Sequence, residues 1–91
     1  MRRFVIEREI PKVGAMDRAQ LQAAAAKSNE ALAKLSPDIQ WEHSYVVGDK
    51  TFCIYMAKDE SMIRKHAEMS GFPANRITEV RQVIDPMTAI A

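Results

Sequence analysis

Residues 39–57, Ile-Gln-Trp-Glu-His-Ser-Tyr-Val-Val-Gly-Asp-Lys-Thr-Phe-Cys-Ile-Tyr-Met-Ala, read as two strands joined by a tight turn. The first half, Ile39 to Val47, is rich in aromatic and β-branched residues, which suit a pleated, half-buried surface. Gly48-Asp49 is a hairpin signal. The second half, Lys50 to Ala57, holds the run Phe52-Cys53-Ile54-Tyr55-Met56, which is apolar on both faces. Such a strand belongs in the middle of a sheet, covered on both sides.

The flanks complete the pattern. Arg3 to Glu9 predicts a first strand, with Phe4 and Ile6 on one face and Val5, Glu7 and Glu9 on the other. Pro11 and Gly14 end it. Asp17 to Leu35 predicts a helix that opens on a capping box, Asp17 with Gln20. Leu21, Ala24, Ala25, Ser28, Ala31, Leu32 and Leu35 keep its 3.6-residue period, and its many alanines make it thin. Asp59 caps a second helix that runs to about Ser70, closed by Gly71 and Pro73. Arg76 to Ile84 predicts a fourth strand. Asp85-Pro86 ends the ordered core, expected over about 3–85, and 86–91 form a tail. The order β-α-β-β-α-β is the ferredoxin-like α+β sandwich: a four-stranded antiparallel sheet with two helices on one face. The other face needs a cover, and a second copy is the simplest, giving a homodimer through the open sheet face.

The hairpin register decides which polar groups meet. A two- or four-residue loop sets Val46 against Thr51, His43 against Ile54 and Glu42 against Tyr55. A three-residue loop puts His43 beside Cys53 and Tyr55.

With 91 residues, the chain is one domain, residues 1–91. Thirteen basic against twelve acidic residues leave a net charge of +1, which argues against a partner held by nucleic-acid phosphates. No apolar run is long enough to span a membrane, and Glu7 cuts short the apolar stretch that a signal peptide needs. The lone Cys53 leaves no internal disulfide and fits a reducing, cytoplasmic location.

Chemistry is sparse. His43 with Glu7 and Glu9 would offer an imidazole and two carboxylates, a set suited to Ni(II), Zn(II), Fe(II) or Mn(II). The competing reading gives Glu7 and Glu9 to ion pairs with Arg76 or Arg81 and leaves His43 a satisfied sheet residue. His66, in a stripe with Met62 and Met69, is either a metal or substrate ligand near Gly71-Phe72-Pro73 or a histidine at a helix edge near its C-terminus. Trp41, Tyr45, Cys53 and Tyr55 are the candidate pocket-lining residues. Cys53, in an apolar strand, reads as a small hydrophobe.

Five strings resemble one family: Arg3-Phe4-Val5-Ile6-Glu7-Arg8, Ile39-Gln40-Trp41-Glu42-His43-Ser44-Tyr45-Val46, Cys53-Ile54-Tyr55, Ile63-Arg64-Lys65-His66-Ala67 and Gly71-Phe72-Pro73-Ala74-Asn75-Arg76-Ile77. The chain resembles, from about Arg3 to Pro86, a family of small bacterial proteins that includes a nickel-binding, nickel-responsive member. The resemblance implies a ferredoxin-like homodimer and nickel binding by histidine and acidic side chains. It carries over His43 and His66, which sit inside matching strings; Glu7 and Glu9 match the family's first strand.

Two functions stay open. One is a cytoplasmic homodimer that binds a divalent metal, nickel first, for sequestration or response, with no catalytic residue. The other is small-molecule binding or a cofactor-free enzyme of the dimeric α+β barrel type, monooxygenase- or isomerase-like. There Tyr55, His43 and Glu7 are the acid–base candidates.

Overall fold

A computed structural model describes residues 1–90. The strands are β1 (Arg2–Glu9), β2 (Ile39–Val46), β3 (Lys50–Ala57) and β4 (Arg76–Val80), and the helices are α1 (Arg18–Leu35) and α2 (Glu60–Ser70). They form one antiparallel sheet in the order β2-β3-β1-β4, the ferredoxin-like arrangement. β3 lies inside the sheet, between β2 and β1, as its two apolar faces require.

Strand alternation builds the core. Phe4, Ile6, Cys53, Tyr55 and Ala57 point to the helix side and are buried with Ile39 and Ile63. Both helices are held by local sequence. The Asp17 carboxylate accepts from the Gln20 N–H at 2.8 Å, and the Gln20 side chain accepts from the Asp17 N–H at 3.0 Å. In α2 the Asp59 carboxylate accepts from the Ser61 N–H, and Gly71 closes the helix at φ 78°, a conformation that suits glycine.

The hairpin follows the register in which Val46 faces Thr51 and His43 faces Ile54. It then departs from both expected pairings. A bulge at Glu42 gives β2 one extra residue, so Trp41, not Glu42, faces Tyr55. Below the bulge Ile39 and Trp41 face the helices; above it Ser44 and Val46 do. Glu42 instead accepts from Arg3 at 2.9 Å.

β4 is shorter than the expected Arg76 to Ile84. Val80 already pairs with Arg3, near the start of β1, so residues beyond it have no strand to bond. Residues 81–85 carry no regular structure, and Pro86–Ala89 form a 3₁₀ turn capped by Asp85. Val83, Ile84, Met87 and Ile90 are exposed along this segment. No helix of the described residues is long and apolar enough to cross a membrane.

The segment after β1 folds back as a 3₁₀ turn, Val13–Ala15, tied to the hairpin. The Ile10 N–H donates to the Asp49 carbonyl, the Lys12 N–H to the Asp49 carboxylate at 2.8 Å, and the Gly14 N–H to the Gly48 carbonyl at 2.9 Å. A Cβ on Gly14 would collide with the Val47 and Gly48 backbone. Gly14→Ala should therefore cost about 1–3 kcal/mol by overpacking, read by urea denaturation. An unchanged midpoint would mean that this loop shifts freely.

Candidate functional site

A cavity lies where α1 crosses the hairpin. Alanines at 24 and 25 face the sheet and fill little of the space. The result is a cavity of about 280 Å³, walled by Leu21, Ala24 and Ala25 of α1, by Val13 and Met16 of the loop, and by Trp41, Cys53 and Tyr55 of the sheet. Phe72 and Arg8 also line it.

Its polar groups form a short chain. Ser28 Oγ lies 3.0 Å from His66 Nε2 and 3.4 Å from the Tyr55 hydroxyl. The Tyr55 and His66 rings are 5.2 Å apart. Arg8 is 3% exposed; its Nη1 donates to the Pro73 carbonyl at 2.9 Å and sits near the Phe72 carbonyl at 3.4 Å. Its guanidinium lies 5.8 Å from the Tyr55 ring centre, a cation–π contact. Arg8 Nη2 and His66 Nδ1 are buried with no hydrogen-bond partner. Burial pushes the His66 imidazole down from 6.5 to about 4, and the Arg8 charge pushes the same way, so His66 is neutral at pH 7. Burial raises the Tyr55 phenol above its ordinary value, outweighing its bond to Ser28 and the pull of Arg8.

The residues expected at the site divide between the two sides of the sheet. Trp41, Cys53 and Tyr55 line the cavity, with Trp41 Nε1 donating to Ser44 Oγ at 2.9 Å. Tyr45 does not. It alternates with Ser44 and Val46, so it faces outward and is 58% exposed. There its hydroxyl meets His43 Nε2 at 3.1 Å. His43, Glu7 and Glu9 also belong to the open face. Glu7 faces Phe52 of β3, whose other neighbour is Tyr45, so a whole strand separates Glu7 from β2. Two strand spacings make about 10 Å. Glu7 pairs with Lys50 at 3.7 Å, rather than with Arg76 or Arg81.

His66 is not at a helix edge. It shares the buried face of α2 with Ile63 and Ser70 and is fully enclosed on the helix side of the sheet. The two histidines thus sit on opposite faces, and Tyr55 shares no site with His43 or Glu7. Among the described residues no three His, Cys, Asp or Glu side chains come together to hold a metal ion. The expected ligand set of His43, Glu7, Glu9 and His66 is therefore not brought together within this chain.

Arg8 and Ser28 were missed as site residues. Arg8 had a signal, because it stands in phase with Phe4 and Ile6 on the inward face of β1. Ser28 sat inside the apolar stripe of α1, the one hydroxyl among alanines and leucines.

The molecule is thus a ferredoxin-like α+β sandwich with a lined cavity under its first helix. Residues 4–80 match the family described as nickel responsive protein, SCO4226-like, and the chain belongs to that family. Its fold also matches the crystal structure of SCO4226 from Streptomyces coelicolor A3(2), with a TM-score of 0.75 and 14% identity, over 90% of this chain and 99% of that one. No curated protein matches the chain.

Proposed function

We propose that this protein is a cytoplasmic, nickel-responsive homodimer whose open sheet faces pack together and whose metal is held between protomers. The observation that carries this reading is the character of the open face. Val5, Phe52, Ile54, Met56 and Val80 form a half-buried apolar stripe there, and the exposed His43 imidazole stands against Ile54. Such a stripe favours a self-complementary cover. Two-fold packing would bring ligands from two copies together, which answers the absence of a cluster in one. His43 would supply the imidazole and Glu7 or Glu9 the oxygens; His66, walled in beneath the helices, is the least accessible of the four. Nickel is the metal that the family's description supports, and the donor set also accepts other divalent ions. The protein would act by sequestration or response, without catalysis.

Metal-free protein, titrated with nickel, tests this by sedimentation and thermal unfolding. A dimer is expected. Nickel at 100 times its Kd should add about 2.7 kcal/mol, which moves Tm by more than about 10 °C in a domain of this size. His43→Ala should lose that gain. A monomer in the presence of nickel, or an unchanged shift in His43→Ala, would overturn the reading.

A further inference from the structure

We propose that the cavity under α1 binds a compact organic monocarboxylate with an apolar body, its carboxylate held by Arg8. A guanidinium as enclosed as Arg8 normally sits against a carboxylate. Here the ion pairs among the described residues are Arg2–Glu79, Arg3–Glu42, Lys50–Glu7 and Arg64–Glu60, and none involves Arg8. Its hydrogen bonds go to backbone carbonyls and its guanidinium lies against the Tyr55 ring, none of which carries a charge to balance it. Nη2, at the same end of the side chain, has no partner at all. A desolvated cation with an unused N–H beside an apolar cavity is a built receptor for an anion.

The rest of the lining defines the anion. Arg8 is the only cationic residue lining the cavity, and His66 behind it is neutral. A singly charged head balances Arg8, whereas a dianion such as a phosphate monoester would leave net negative charge in an apolar enclosure. The Tyr55, Ser28 and Thr51 hydroxyls are the remaining polar side-chain groups near that end, enough to complete a carboxylate's bonds. Leu21, Ala24, Ala25, Val13 and Met16 face the ligand's body and select an aromatic or short aliphatic group. At about 280 Å³ the space lies at the small end for ligand pockets.

This site is on the opposite side of the sheet from His43, so it stands apart from the nickel reading. The test uses metal-free protein and calorimetric titration with phenylacetate and hexanoate, each against its amide. The acids should bind at least tenfold more tightly than the amides. Arg8→Met should erase that preference. Ala25→Phe, which fills the cavity and keeps Arg8, should abolish acid binding. His43→Ala should leave it intact. Absence of acid binding, equal binding of acid and amide, or acid binding that survives Ala25→Phe would each overturn the proposal. If Arg8→Met fails to fold, the acid–amide comparison and Ala25→Phe still decide it.

Discussion

Phe4→Ala should destabilise the protein by about 3–5 kcal/mol, the range for removing a buried aromatic ring. Phe4 is 1% exposed and stands on β1 opposite Tyr55 of β3. The neighbouring core residues come from different elements: Ile6 beside it on β1, Cys53 and Tyr55 on β3, Ile39 on β2 and Ile63 on α2. Elements fixed by backbone ladders and a second helix collapse poorly into a vacated volume, which places the loss towards the upper end. Domains are stable by only about 5–15 kcal/mol, so the variant should unfold at much lower urea, or fail to accumulate folded. Equilibrium denaturation with a matched slope measures it. A loss below about 1 kcal/mol would mean that the ring is not central to the core.

The second large effect is acid sensitivity through His66. Its folded value is about 4 against 6.5 for the free side chain, chiefly because burial disfavours the charged ring. The unfolded chain therefore binds a proton between these values that the folded chain refuses. Stability is unaffected well above pH 6.5, falls as pH drops from 6.5 towards 4, and stops changing below that. The full shift corresponds to about 3 kcal/mol, reduced to about 2 kcal/mol where solvent reaches the neighbouring cavity. The wild type should lose that much more stability than His66→Gln between pH 7 and pH 4.5. Parallel curves for the two proteins would show that His66 titrates in the folded state as it does in water.

Much of the architecture was legible because it depends on short-range rules. The capping box at Asp17, the closure at Gly71 and the alternation in β1 and β3 each act within a few residues. The half of β2 next to the turn follows one of the two hairpin registers, but the bulge at Glu42 takes the rest of the strand out of it, and no glycine or proline announces that bulge. β4 was drawn too long because the apolar residues Val83 and Ile84 resemble a strand, while the end of β1 that limits it lies far away in sequence. The site was the least legible part. The titratable residues attract attention by type, and that favoured His43, Glu7 and Glu9. The cavity depends instead on what α1 leaves unfilled, and on an arginine in phase with Phe4. Tyr45 was assigned to the cavity by its chemistry, although its parity with His43 turns it the other way.

The bulge at Glu42 also bears on how this protein can vary through evolution. Trp41 and Ser44 reach the same interior from positions three apart, which an unbroken strand does not allow. Deleting one of the two residues between them would restore a regular strand with both side chains still inside, and would remove only the bulge. This stretch of β2 can therefore exist in two lengths without turning its inner face over, and the exposed stretch from Val83 to Ile90 is also free to gain or lose residues. Relatives of this protein should differ in the length of their final segment, and some should carry the Trp and Ser two apart instead of three.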